Sequence, residues 1–401
     1  MPKKRVETVY IHFIIGLAIM FLIRWMPVEM PAITPVGKQI LGIFIGTLYL
    51  WSTVDPIWSS ILSIFMIGTS DYAAMGGVLS TAFGNPTVVQ MLFLMIIMNS
   101  LQVTGLSAHI GRFFITRKFI IGRPWVFTAV LFFGSVLMAA FVGCFAPIFL
   151  FWPILYDIFQ DIGMKPKEEY PTLMLIFIVV ACAIGFPVPP YMSNGLALIS
   201  NYATITQNIL GTSVVINDAQ WLIVALIFGA ACAVAIMLFA KFVLRPDVSK
   251  LKNLTLEQLN KNPLPPLNTR QKMVGIIIVI FLLSMLMPSL FPSLPGMSWL
   301  SANSTGMAML FIVILCVLRA DGKPLITIGE NMRNFAWGTY FLVVSAILIG
   351  SVLTNESTGV IAFLNTILSP VFKNMSPLVF TIVVLFVGCV LTNVCNSLVI
   401  G

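Results

Sequence analysis

Charged side chains are scarce in this sequence, and those present are unevenly placed. Only 9% of the 401 residues are Asp, Glu, Lys or Arg, whereas a soluble domain has about 25%. Apolar runs of about 20 residues recur along the chain, which is the length that a membrane-spanning helix needs. These runs lack the apolar–polar alternation of barrel strands, and a helix satisfies its own backbone groups in lipid. We therefore predict an all-α polytopic membrane protein.

Motifs of catalysis and of ATP-driven pumping are also missing. The sequence contains no Walker A, H-E-x-x-H or G-x-S-x-G stretch. Its six cysteines lie in apolar segments, without the spacing of metal ligands or of a disulfide framework. Asp55, Asp157, Asp161 and Glu356 lie near predicted helix ends, which argues against a proton relay built on buried carboxylates. We predict that the protein is not an enzyme and has no cofactor or bound metal, except for a coupling sodium ion.

The excess of basic residues, a formal charge of +8, has a topological interpretation. Basic residues cluster at 3–5, 112–123, 245–272 and 319–333, between apolar runs. Such clusters orient helices during insertion, because cytoplasmic loops carry an excess of Lys and Arg. The pattern predicts a multi-pass protein of the inner (plasma) membrane with a cytoplasmic N-terminus, embedded in a lipid bilayer, and it does not indicate a nucleic-acid partner.

The number of membrane crossings between successive basic clusters indicates how the chain is divided into segments. We predict an N-terminal span in 1–35, a first repeat in 36–245, a cytoplasmic linker in 246–271 and a second repeat in 272–401. Basic residues on both sides of the apolar segment 126–160 place its two ends on one side, so this segment is predicted to be a re-entrant hairpin. Three prolines interrupt the apolar run 170–205, which predicts a broken helix.

An internal repeat supports this division. The segment VFTAVLFFGSVLMAAFVGC (Val126–Cys144) aligns with VFTIVVLFVGCVLTNVCNS (Val379–Ser397) at an offset of 253, and SLQVTGL (Ser100–Leu106) aligns with TNESTGV (Thr354–Val360) at 254. Their predicted orientations are opposite, so we predict inverted repeats, as in many secondary transporters. The second repeat is expected to be incomplete, because the sequence ends soon after the second tip.

Three places could hold a small anion or a cation near the bilayer midplane, where broken helices and hairpin tips free backbone groups. They are the first hairpin tip, the proline-rich break and the second tip. Each has a structural alternative, namely close helix packing at the first tip, a kink at the prolines and interhelical hydrogen bonding at the second tip. The candidate residues are Gly143 and Cys144; Pro189, Pro190, Ser193 and Asn194; and Thr392, Asn393, Cys395, Asn396 and Ser397.

Two segments resemble the divalent anion–sodium symporter family of the ion transporter superfamily. LYLWSTVDPI (Leu48–Ile57) is similar to its W-x-T/S-E-x-x-P segment, and FGNPTVVQMLFLMIIMNSLQVTGLSAHI (Phe83–Ile110) is similar to its F-x-N-P-x-V … S/T-G-L segment. The resemblance implies an elevator-type homodimer that carries dicarboxylates, citrate or similar anions, usually with sodium.

The same resemblance implies which residues form the site. Each tip of the family carries Ser-Asn-Thr, where this sequence has Gly143-Cys144-Phe145 and Cys395-Asn396-Ser397. The family's G-T-P-P-N loop corresponds to Pro187-Val188-Pro189-Pro190-Tyr191. Sodium would accordingly lie near Gly143, Gly185 and Asn396.

The sequence thus predicts a secondary active transporter of small organic or divalent anions. Two alternatives stay open at this point. The chain could be a non-transporting membrane scaffold or degenerate remnant, or another carrier of the superfamily, such as a sodium/proton antiporter or an arsenite-type carrier.

Overall fold

The computed structural model describes residues 3–27, 32–143, 146–165, 167–255, 264–333, 335–373 and 375–392. Eighteen α-helices, four short 3₁₀ helices, one π-helical turn and one two-stranded hairpin form the regular structure of these residues, so the all-α prediction is confirmed. In chain order the helices are α1 (Lys3–Leu22), α2 (Pro35–Thr53), α3 (Pro56–Gly68), α4 (Met75–Phe83), α5 (Pro86–Val103), α6 (Leu106–Ile115), α7 (Pro124–Phe141), α8 (Ala146–Asp161), α9 (Glu169–Gly185), α10 (Ser193–Leu210), α11 (Asp218–Phe239), α12 (Thr269–Leu290), α13 (Met297–Ala302), α14 (Ser304–Val317), α15 (Ile328–Arg333), α16 (Trp337–Leu353), α17 (Val360–Phe372) and α18 (Pro377–Leu391). The strands are β1 (Arg319–Ala320) and β2 (Lys323–Pro324), which pair antiparallel.

Several helices have the length and apolar composition of a membrane span. Within the described part of the chain these segments are Thr8–Trp25, Pro86–Val103, Pro124–Phe141, Asp218–Leu244 and Thr269–Leu290. The third is α7, the first arm of the predicted hairpin, and α8 follows it after a short turn. The hairpin therefore consists of two helices, and its re-entrant course in the bilayer stays a prediction.

Proline and a capping side chain define where several helices begin. Asp55 precedes Pro56, and its Oδ1 accepts hydrogen bonds from the backbone N–H groups of Ile57 (2.8 Å) and Trp58 (3.3 Å). An N-cap carboxylate satisfies two of the free N–H groups of the first turn and suits the positive end of the helix. Asp55, one of the few acidic residues near an apolar segment, thus has a structural role at the start of α3.

The sequence repeat has a counterpart in local geometry. Gly105 (φ 74°) lies between α5 and α6, and Gly359 (φ 67°) lies before α17 at the matching offset of 254. A positive φ is readily adopted by glycine, so both positions permit the same sharp turn between helices. Pro124 and Pro377, at an offset of 253, then begin α7 and α18. Both halves therefore share the order helix, left-handed glycine, short helix and apolar helix.

The structure adds short helices that hydropathy did not predict. They are α4, α6 and α17, with 9, 10 and 13 residues. The sequence analysis assigned the α6 region partly to a basic loop, because these segments are too short or too amphipathic to read as spans.

The chain forms two compact units. The first comprises Met1–Val89, Leu196–Val215 and Ala336–Gly401, and its main packing is between α1, α2, α3 and α16. The hydroxyl groups of Ser63 on α3 and Ser345 on α16 are buried and hydrogen bonded to each other. The backbone N–H of Thr34 donates to the carbonyl oxygen of Thr358 (3.1 Å), which ties the start of α2 to the turn before α17.

The second unit comprises Gln90–Gly195 and Ile216–Phe335. Its densest packing is between α7 and α9, with α8 alongside both helices. Tyr170 of α9 is buried, and its hydroxyl is 2.7 Å from that of Thr128 on α7. Each unit combines segments of both predicted repeats, so the compact units do not coincide with the repeats. The predicted repeat boundaries therefore stay a prediction.

Loops predicted to share one side of the membrane lie together in the second unit. Leu251 and Leu254, from the linker, pack in the core cluster that also contains Ile120 and Met164. The Nζ of Lys250 donates to Glu168 (2.9 Å) and to the carbonyl oxygen of Gly163 (3.0 Å). The linker is thus tied by apolar and ionic contacts to the loops before α7 and before α9.

Buried amides connect α5 and α15 in the same unit. The Nδ2 of Asn99 donates to the carbonyl oxygen (2.6 Å) and the Oδ1 (2.9 Å) of Asn331. The Nδ2 of Asn331 in turn donates to the carbonyl oxygen of Ile96 (3.1 Å). Both amides are buried, so the loss of either one leaves polar groups without a partner.

We expect Asn331→Leu to lower the free energy of unfolding by about 2 kcal/mol, because two hydrogen bonds at about 1 kcal/mol each are lost. Thermal unfolding in detergent measures the change. Asn303→Leu is the matched control, because the Asn303 amide is exposed and bonds only within its own turn. Equal destabilisation by the two variants would contradict the role of the Asn99–Asn331 pair.

We expect the linker contact to depend on pH through Glu168. The hydrogen bond from the Lys250 ammonium lowers the pKa of the Glu168 carboxyl. A carboxylate with a lowered folded pKa contributes stability above its unfolded pKa and loses this contribution as the pH falls through the folded pKa. Glu168→Gln should therefore speed hydrogen exchange at 249–254 at neutral pH.

The Glu168→Gln variant and the wild type should exchange amide hydrogens at 249–254 at the same rate once the pH falls below the lowered pKa of Glu168. Glu169→Gln removes a neighbouring exposed carboxylate and should leave exchange at 249–254 unchanged at every pH. If both substitutions change hydrogen exchange at 249–254 equally, the net charge, and not the ion pair, keeps this part of the linker in place.

Candidate functional site

The proline-rich segment interrupts the run 170–205, as predicted. Helix α9 ends at Gly185 and α10 begins at Ser193, with seven non-helical residues between them. Pro187, Pro189 and Pro190 have no N–H, so the carbonyl groups of Ala183, Gly185 and Phe186 lose the donors of a continuous helix. Two tight turns replace some of these bonds, from Val188 N–H to the Gly185 oxygen (3.1 Å) and from Met192 N–H to the Pro189 oxygen (3.2 Å).

This break is buried. The residues from Val188 to Met192 are all buried, including Pro189 and Pro190. The C-terminus of α9 brings carbonyl oxygens to the break, and the N-terminus of α10 brings N–H groups. The helix dipoles give these ends partial negative and positive charge. The break therefore offers oxygen ligands for a cation at one end and donors for an anion at the other.

Gly185 is in backbone contact with the first hairpin. A methyl group at this position would overlap the carbonyl oxygen of Val136 on α7. Only glycine permits this approach of α9 to the α7 backbone. Gly185 is thus held against α7, the first arm of the hairpin. Both Gly185 and Gly143, at the end of this arm, were predicted to lie near sodium.

Helix α7 ends at Phe141, and the chain turns just after it. The N–H groups of Val142 (2.8 Å) and Gly143 (3.2 Å) both donate to the carbonyl oxygen of Met138, and Gly143 has a φ of 137°. The Gly143 oxygen accepts from the N–H of Ala146 (3.2 Å), which begins α8. Gly143 is therefore the turning residue. Cys144 lies outside the described residues.

Two contacts hold the break in place. The Nε1 of Trp221 on α11 donates to the carbonyl oxygen of Pro187 (3.3 Å). Gly195, in the first turn of α10, lies so close to the Pro189 carbonyl that a side chain there would collide with it. Trp221 therefore fixes the α9 side of the break, and Gly195 lets the first turn of α10 fold back against the prolines.

Tyr191 is a functional candidate that the sequence analysis did not select. Its side chain is 5% exposed, and its hydroxyl has no hydrogen-bond partner among the described residues. Buried hydroxyl groups are nearly always hydrogen bonded, so an unpaired one at a helix break indicates a ligand or water partner. The signal in the sequence was its position in the segment aligned with G-T-P-P-N, where Tyr191 stands in place of the Asn.

The remaining predicted residues are only partly described. Ser193 and Asn194 form the first residues of α10, and their side chains are outside the description. Thr392 ends α18 in the first compact unit, where its hydroxyl donates to the Cys389 carbonyl (2.8 Å) and is exposed. The other residues of the second tip lie outside the described residues, namely Asn393, Cys395, Asn396 and Ser397.

The described part of the site is neutral. Within the described ranges the buried polar side chains are Ser, Thr, Asn and Gln, with no carboxylate and no basic group, and no cluster of three His, Cys, Asp or Glu residues forms there. The ligands available near Gly185 and Gly143 are carbonyl oxygens, which suit sodium better than a transition metal.

Comparison with known proteins agrees with this architecture. The model of the citrate transporter family (CitMHS) matches residues 41–399, which is most of the chain. No curated protein matches the sequence. The family is one of transporters and not of enzymes, and it lies within the ion transporter superfamily that the motifs indicated. The chain therefore belongs to the citrate transporter family.

Proposed function

We propose that the protein is a secondary active carrier of a small organic anion with two or three carboxylates, such as citrate. The observation that supports this most directly is the buried break between α9 and α10. It brings together the first turn of α10, whose N–H groups have no acceptor within the helix, and the Tyr191 hydroxyl, which has no partner among the described residues. A membrane-embedded anion needs such donors, because a helix N-terminus attracts negative charge without the cost of burying an arginine.

Tyr191 acts in this proposal as a neutral hydrogen-bond donor to one substrate carboxylate. A phenol hydroxyl donates well to a charged acceptor, and the bond is stronger in a site that excludes water. The tyrosine would then replace the amide donor that the aligned G-T-P-P-N loop has at this position. A larger, more rigid donor would also narrow the space for the anion and so affect which anions fit.

Sodium is the proposed coupling ion. The described helices offer carbonyl oxygens at the end of α9 and at Gly143, and the fully buried side chains of the described residues include no carboxylate. A sodium ion bound between these elements would offset part of the anion's charge and link the two binding events. The proposed positions are near Gly143, Gly185 and Asn396.

An elevator movement, a homodimer and an inner-membrane location with a cytoplasmic N-terminus complete the proposal. The hairpin and the break lie in one compact unit, as a moving transport domain requires. The orientation is supported by the basic loops, since the linker packs against the loops before α7 and α9.

We expect Tyr191→Phe to weaken citrate binding about tenfold, because it removes one hydrogen bond to a charged group. Thermal stability should stay the same or rise slightly, because a buried hydroxyl without a partner is removed. Citrate binding and uptake by the protein in proteoliposomes, together with its unfolding temperature, provide the measurement.

Tyr170→Phe is the matched control, since it removes a buried hydroxyl that is bonded to Thr128. This variant should lose about 1 kcal/mol of stability and keep the wild-type affinity for citrate. If Tyr191→Phe instead behaves like this control, with lower stability and unchanged affinity, the hydroxyl is a packing group and not a substrate ligand.

We also expect citrate uptake into proteoliposomes to require an inward sodium gradient. Replacing external sodium with choline should reduce uptake to the level of empty vesicles, while a proton gradient alone should not restore it. Gly185→Ala should abolish uptake, because the added methyl group forces α9 away from α7.

Other outcomes separate the alternatives. Uptake driven by protons, or of another ion in place of citrate, would exclude sodium-coupled citrate transport and favour a different carrier of the superfamily. A folded protein that binds and transports no carboxylate under any gradient would support the non-transporting scaffold.

A further inference from the structure

An open polar pocket lies away from the break, at the end of α6. It has a volume of about 370 Å³ and is lined by the last turn of α6, by Thr116 and Arg117, and by the linker stretch 264–267. Its lining includes two arginines and a histidine but no carboxylate among the described residues. We call it the α6–linker pocket.

The basic groups of the pocket face the same way. His109, Arg112 and Thr116 are spaced by three and four residues, which places them on one face of α6 and its extension. The Thr116 hydroxyl donates to the Arg112 carbonyl (3.1 Å), so its proton is already used. The donors available to a ligand are therefore the imidazole and the two guanidinium groups.

Arg117 is held in position by Phe113. Its Nε donates to the Phe113 carbonyl (2.9 Å), and its guanidinium lies 3.4 Å from the centre of the Phe113 ring. These contacts cap the helix and fix the plane of the guanidinium, while its terminal NH₂ groups form no ion pair within the described ranges. A helix cap explains the Nε bond, but it explains neither Arg112 nor the cavity.

We propose that the α6–linker pocket binds a phosphate-class oxyanion. Two guanidinium groups match the several oxygen atoms of a phosphate through paired hydrogen bonds, and the fixed plane of Arg117 reduces the ordering that binding requires. Phe113 and Phe119 are 58% and 53% exposed, which is typical of an aromatic and basic segment at a bilayer surface. The anion can therefore come from the headgroup of an acidic phospholipid or from free phosphate.

Binding there would connect α6 to the linker. The stretch 264–267 leads directly into α12, whose Gln271 side chain donates to the Thr104 carbonyl at the end of α5 (3.0 Å). An anion between Arg112 and this stretch would add a second connection on the same side of the second unit.

The test uses the purified full chain and two probes. Inorganic phosphate is titrated by calorimetry in detergent. Phospholipid retention is measured by native mass spectrometry after reconstitution in nanodiscs of phosphatidylcholine with or without phosphatidylglycerol. We expect binding of at least one probe, and a loss of about tenfold or more in the double variant Arg112→Gln/Arg117→Gln.

The matched control is Lys118→Gln/Arg123→Gln, which makes the same charge change in the same loop without touching the pocket. It should stay within about twofold of the wild type, because more distant surface charges are screened. Arg112→Lys/Arg117→Lys keeps the charge but loses the planar fork. It should bind several-fold more weakly than the wild type, and it serves as the test if the glutamine variant does not fold.

Retention of phosphatidylglycerol alone identifies the lipid as the source, and binding of phosphate alone identifies the free anion. The proposal is overturned if the wild type binds neither probe, if the Lys118/Arg123 control loses as much binding as the pocket variant, or if the lysine variant binds like the wild type. These measurements require no transport, so their failure and the failure of the transport proposal are separate results.

Discussion

The contact on which the candidate site depends is the backbone approach of α9 to α7 at Gly185. A side chain there would occupy the position of the Val136 carbonyl oxygen, so glycine determines how closely the broken helix meets the hairpin. The break begins at the next residue, and Gly143, seven residues beyond Val136, lies just after the end of α7. A shift of α9 would therefore move the break away from the hairpin arm.

The electrostatic field of this site comes from the partial charges of neutral groups. The prolines remove N–H donors and leave carbonyl oxygens at the end of α9, while the first turn of α10 presents N–H groups. Partial charges at helix ends are already desolvated and oriented when the protein folds, so they bind an ion without the penalty of an isolated buried charge. Trp221 and Gly195 keep these two ends in place, and Tyr191, in the segment between them, has a buried hydroxyl without a partner among the described residues.

The first described part of the linker packs into the second unit. Leu251 and Leu254 enter its apolar core, and Lys250 bonds Glu168. Helix α6 is held nearby because Gly111 lets it lie directly against Leu150 of α8. The same packing that joins the loops also forms the α6–linker pocket, which explains how scattered basic residues come to share one cavity.

The sequence by itself determined the class of the protein and predicted a hairpin tip near Gly143 and a break at Pro187–Pro190, because apolar length and a missing N–H act within a few residues. It also indicated the family through two local motifs. Only the tertiary structure decided that Gly185 meets Val136, that Asn99 pairs with Asn331 and that Tyr191 has no partner. These features depend on which helices become neighbours, and α6 and α17 were too short for hydropathy to distinguish them from loops. These residues are about 50 and 230 positions apart in the sequence, and their contacts follow from the shapes of the packed helix surfaces. The composition and periodicity of a single segment do not specify those shapes.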